Sequence, residues 1–187
     1  LLPMGSWRWQ TPFRRMMGHG PVDERLSWIL GYGYHETQEP IANIWPPGTG
    51  GFSLHDNPGL TGYTHAVSGD GRTQCDQVNV QWSCGDVTPE GGGFAYIPGS
   101  QKALYPMPVD ERVSMDLSCV RVPALDAGDV LLFGGVTHGA AAWREDPARS
   151  ASHRRAVIHF YNSKEMSLGA GNIVDGATPR VAPAARM

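Results

Sequence analysis

The chain has 187 residues, enough for one domain with a sizeable core. Its net charge of −3 argues against an electrostatic nucleic-acid binder, and its longest clean apolar run, Val130–Phe133, is too short to cross a bilayer. Gly 24 and Pro 15 make about a fifth of the chain, which favours turns over long helices.

The chain opens LLPMGSWRW, without an initial Met and without the basic start and long apolar stretch of a signal peptide. An N-terminal portion that is missing or processed is therefore expected. Trp7 and Trp9 are expected to cover the core. The clearest helix spans about 21–30, PVDERLSWIL: Pro21 suits the first turn, Asp23 and Glu24 follow, and Gly31 stands ready to stop it. Val22, Leu26, Ile29 and Leu30 fall on one face, so the helix should pack on a larger body. Strands are predicted at 41–45, 51–55, 76–84, 94–97, about 113–121, 129–133 and 154–161, separated by Gly, Pro and Asp clusters. Short strands without intervening helices imply a β-sandwich or barrel. Residues 1–162 thus read as one domain and 163–187, rich in Gly, Ala and Pro, as a mostly irregular tail.

Alternation in DQVNVQWSC puts Val78, Val80, Trp82 and Cys84 on one face and Gln77, Asn79, Gln81 and Ser83 on the other. The polar face is either solvated or the lining of a polar pocket, with the apolar face packed against another layer. Cys75, Cys84 and Cys119 form no disulfide framework, so a reducing, cytoplasmic setting is the default. The end Ala185-Arg186-Met187, a loose relative of the S-K-L address, makes a peroxisomal location the alternative.

Four stretches carry candidate chemistry. FSLHDNPG, 52–59, ends a strand with His55, a good place to hold a metal; Asp56 follows directly, and two residues on stands Asn57 rather than a carboxylate. TPEGGGFAYIPGSQK, 88–102, is a turn, a short strand and a second turn. DAGDVLLFGGVTHGAAAW, 126–143, launches a buried strand from an acidic turn and delivers His138 at its far end. HRRAVIHFY, 153–161, carries Arg154 or Arg155 into a strand, where a buried guanidinium needs an anion: a small carboxylate ligand or an internal salt bridge.

In this order, SLHDNPG, GDVTPEGGGFAYIPGSQK, AGDVLLFGGVTHG and RRAVIHFY resemble the phytanoyl-CoA dioxygenase family of Fe(II)/2-oxoglutarate-dependent oxygenases over roughly residues 40–161. The first stretch is similar to a subset of that family with an LHG-type motif in place of HxD. The resemblance implies an all-β core with few helices: a double-stranded β-helix, the cupin-like jelly-roll barrel, with iron near one open end. It implies His55 and His138 as metal ligands and Arg154, at the family's first arginine, as clamp for the far carboxylate of 2-oxoglutarate. Gln81 and Asn79 are candidate pocket contacts, Trp143 a wall at the pocket mouth, and Asp86 a brace for its turn. The implied activity is hydroxylation of a small organic substrate, coupled to oxidative decarboxylation of 2-oxoglutarate to succinate. Fe(II) and 2-oxoglutarate are the implied cofactors; neither nucleic acid nor membrane is an expected partner. Loop 60–75 is the expected seat of substrate choice.

Two departures qualify the resemblance. None of the seven histidines is followed two positions later by Asp or Glu. Asn57 could ligate through its amide oxygen, or Asp56 could swing inward at Asn57-Pro58. The position could be open, as in iron halogenases, or the fold could have lost iron and serve as a binding or scaffold protein. The second departure is Ala140, where the family often has a hydroxyl residue two positions after the distal histidine.

Overall fold

A computed structural model of the chain describes residues 2–55, 65–67, 73–102, 115–144 and 153–164. Its N-terminal part comprises β1 (Leu2–Pro3), a 3-10 turn (Gly5–Trp9), α1 (Thr11–Met17) and α2 (Gly20–Leu30). Among the described residues seven strands build the body, β2 (His35–Trp45), β3 (Phe52–His55), β6 (Gln77–Ser83), β7 (Gly93–Tyr96), β8 (Val130–Phe133), β9 (His138–Ala141) and β10 (Arg154–Asn162), and β1 is added at an edge. β4 (His65–Val67) and β5 (Thr73–Cys75) pair antiparallel as a separate two-stranded sheet.

The larger sheet has the order β1-β2-β10-β6-β8 and the smaller one β3-β9-β7, all antiparallel. From β6 onward successive strands alternate between the sheets: β6 large, β7 small, β8 large, β9 small, β10 large. That winding of one chain between two facing layers is a double-stranded β-helix. The layers meet where Phe94 of β7 lies 4.5 Å from Phe133 of β8, centroid to centroid.

Alternation along β6 resolves as two buried faces. Val78 and Val80 point outward, where Val22, Leu26 and Leu30 of α2 pack on them together with Tyr34 and Tyr161. Burying each such aliphatic side chain contributes about 1.5–3 kcal/mol. An apolar core cluster therefore lies outside the barrel, between helix and sheet. On the inner face Asn79, Gln81 and Ser83 are also buried, so the polar row is enclosed by the protein and is not solvated. Gly31 ends α2 with φ 76, a conformation that glycine adopts without steric cost.

Some expectations need correction. No strand forms over 115–121; Ser118 and Cys119 turn, and Arg121 makes only an isolated bridge to Tyr96. β2 begins six residues earlier than predicted, because polar HETQEP hides it. Its Pro40, which lacks an amide hydrogen, sits where the β2–β10 register slips between Gln38 and Ile41, as proline in a sheet requires. Trp7 and Trp9 are exposed rather than covering the core. Beneath them, buried Arg8 lies 4.0 Å from Glu36, which accepts a 2.9 Å hydrogen bond from His159 Nδ1. That cluster ties the N-terminal turn to the outer face of the large sheet. Residues 165–187 of the predicted tail lie outside the described residues. No helix among the described residues is long and apolar enough to cross a membrane.

Candidate metal and cosubstrate site

His55 and His138 are brought together by a bulge. In β3 and β9 Phe52 pairs with Ala140 and His55 with His138, so three steps on β3 match two on β9. Simple alternation would put Phe52 and His55 on opposite faces; the extra residue turns His55 onto the inner face. Gly139 permits this, since a Cβ there would lie 2.5 Å from Phe52 O and 2.8 Å from Ser53 O. The glycine of Thr137-His138-Gly139 is thus required by the neighbouring backbone. β9 itself escaped prediction because His-Gly-Ala-Ala lacks the branched residues that mark strands.

The imidazole centroids are 4.3 Å apart. His55 Nδ1 lies 2.9 Å from Ser53 O and His138 Nδ1 2.8 Å from Val136 O. A carbonyl can only accept, so each Nδ1 carries a hydrogen, which in the neutral ring leaves the lone pair on Nε2. This is the tautomer a metal-ligating histidine needs, with its orientation set by the second nitrogen. Aromatic rings pack around the pair: Phe133 at 4.8 Å and Phe94 at 5.9 Å from His138, Phe52 at 5.1 Å from His55. Among the described residues no third His, Cys, Asp or Glu joins them. Asp56 and Asn57 lie outside the described residues, as do 60–64 and 68–72 of the expected specificity loop.

Arg154, at the start of β10, turns inward and is 4% exposed, whereas Arg155 faces solvent. Its Nη2 donates to Gln81 Oε1 at 3.1 Å, and the guanidinium carbon lies 4.8 Å from the Trp45 ring centroid. Arg154 Nε is buried with no hydrogen-bond partner among the described residues, as are Asn43 Oδ1 and Asn79 Oδ1 on the same inner face. Burial lowers the Arg154 pKa to about 10, so the side chain stays cationic at neutral pH. Gly93 of β7 leaves room for it: a Cβ there would come within 3.4 Å of Nε, and φ is +116.

The expected site residues thus divide in two. His55 and His138 form one group; Arg154 and Gln81 form the other, with Asn79 further along the same sheet face. His138 pairs with Tyr96, three residues along β7 from Gly93, a separation of about 10 Å. Trp143 is fully buried and sits within reach of Gly93. Asp86 Oδ1 accepts from the Ala127 amide at 3.0 Å, bracing two loops. The sequence reading missed Trp45, Asn43 and Gly93. Only Gly93 carried a local signal, the run Gly91-Gly92-Gly93.

No family model and no curated protein matches this chain. Solved structures do. HygX from Streptomyces hygroscopicus, crystallised with nickel and 2-oxoglutarate, superimposes with a TM-score of 0.67 at 20% identity, over 83% of this chain and 66% of that one. EctD from S. alaskensis, in its apo form, gives 0.62 at 18% identity, over 82% and 54%. ThoJ, a non-heme monooxygenase in complex with nickel, gives 0.57 at 18% identity, again over 82% and 54%. This chain shares their jelly-roll fold and spans less than two thirds of the length of each.

Proposed function

We propose that the chain is an Fe(II)/2-oxoglutarate-dependent oxygenase of the phytanoyl-CoA dioxygenase type, hydroxylating a small organic substrate. The observation that carries this is the pairing of two carbonyl-anchored histidines with a buried arginine that has no anionic partner among the described residues. An uncompensated guanidinium in a polar barrel calls for an anionic ligand. A five-carbon dicarboxylate has one carboxylate for Arg154 and a keto-acid end for a metal at His55 and His138. HygX, of the same fold, was crystallised with iron and with nickel and 2-oxoglutarate, and its structure with hygromycin B bound supports a small-molecule substrate.

Fe(II), when bound, supplies redox chemistry with oxygen that no side chain can provide. The two Nε2 atoms would hold it; Asn57 and its alternative Asp56, the expected further ligands in place of the HxD carboxylate, lie outside the described residues. Arg154 and Gln81 orient the dicarboxylate, with Asn79 on the same wall. Phe94 and Phe133 make the wall beside His138 apolar and exclude water there. The decisive experiment is turnover of 2-oxoglutarate with Fe(II) in air. Succinate supports the oxygenase; its absence favours a binding protein on the same fold, and chloride-dependent product formation favours a halogenase.

A further inference from the structure

A buried arginine is ordinarily held by a carboxylate, which fixes its direction and cancels its charge. None holds Arg154 among the described residues. Its guanidinium is instead bounded by the Gln81 carbonyl, the space above Gly93 and the Trp45 ring, over which its central carbon lies 4.8 Å from the centroid. Trp45 reaches this place by register, since β2 and β10 pair Trp45 directly with Arg154. The five N–H groups of a guanidinium lie in its plane. An aromatic face therefore attracts the cation and fixes its plane without consuming a donor or its charge. Gln81 takes one donor, and Nε has no partner among the described residues.

We propose that Trp45 is the positioning residue of the carboxylate pocket, holding Arg154 flat and charged so that its in-plane donors meet the far carboxylate of the cosubstrate. Trp45 does the orienting work that an acidic neighbour would do only by neutralising the site. This rests on the reading of Arg154 as the carboxylate clamp.

The test is calorimetric binding of 2-oxoglutarate to the Co(II)-loaded protein under anaerobic conditions. Trp45→Leu and Trp45→Met, which keep bulk without an aromatic face, should each weaken binding about tenfold or more. Trp45→Phe should restore most of it, and Co(II) affinity at the histidines should not move. In an Arg154→Gln background Trp45→Leu should cost nothing further, because the residue acts through the guanidinium. A merely structural tryptophan would add its loss in both backgrounds. If wild type binds 2-oxoglutarate and neither variant weakens it, or the two losses add in full, the role of Trp45 is overturned while the clamp stands. If wild type binds none, both fall together.

Discussion

His55 and His138 stand opposite each other in β3 and β9 with their rings 4.3 Å apart, each fixed through Nδ1 to a carbonyl two residues earlier in its own chain. Each ring is thus anchored by a carbonyl of its own backbone. The missing HxD acid therefore alters how many ligands a metal finds, not where the two histidines point. His55→Ala and His138→Ala should each weaken Co(II) binding by more than about 100-fold, beyond the loss usual for a residue that only supports a ligand. Wild-type affinity in both variants by calorimetry would remove the metal from this place.

The bulge that aims His55 needs Gly139. In Gly139→Ala the new Cβ meets Phe52 O and Ser53 O, so β3 must shift. A loss of about 1–3 kcal/mol in urea unfolding is expected, together with weaker Co(II) binding. Unchanged metal affinity would show that the bulge does not set the ligand geometry.

Arg154 should show a trade between stability and function. Its pKa is lowered by burial to about 10, equivalent to about 3 kcal/mol against the folded state. For a base held below its ordinary value the unfolded chain binds the proton more tightly. The penalty is therefore complete at neutral pH and is relieved only as pH rises above about 10. Arg154→Met should make the ligand-free protein more stable by about 1–3 kcal/mol, while 2-oxoglutarate ceases to raise Tm. An unchanged or lower stability would mean that the charge is already compensated.

Substitution by lysine at the same place gives a pH test. Lysine starts from about 10.4 and would be lowered by the same desolvation, so Arg154→Lys should bind 2-oxoglutarate best below neutrality. Its affinity should fall as pH rises into the mildly alkaline range, because the neutral amine no longer attracts a carboxylate. Wild type should stay flat from pH 6.5 to 9, arginine remaining charged throughout. Parallel profiles would contradict the burial of this group.

Packing of the helix on the barrel is separable from the site. Leu26 is fully buried between α2 and β6, and Leu26→Ala should cost about 2–5 kcal/mol in urea unfolding. Affinity of the remaining folded protein for Co(II) should not change, since this apolar cluster lies outside the barrel.

How far the sequence made this legible differs by element. Helix α2 announced itself through Pro21, Gly31 and its apolar face, and β6 through alternation, because local pattern and tertiary burial agree there. The polar row Asn79, Gln81 and Ser83 looked the same whether it met water or a pocket, and only the opposing sheet decides between them. β9 and the inner side of β2 were hidden for another reason. Gly139 is chosen by a backbone passing over it, and Trp45 by a residue 109 positions away in the chain but adjacent in register. Such constraints leave no periodicity to read.

Anaerobic titration with Fe(II) and then 2-oxoglutarate tests the central claim most directly, by the metal-to-cosubstrate charge-transfer absorption. Wild type should develop the band, and His138→Ala and Arg154→Gln should lose or greatly weaken it. A wild-type protein that shows no band at saturating Fe(II) and 2-oxoglutarate would contradict the oxygenase reading.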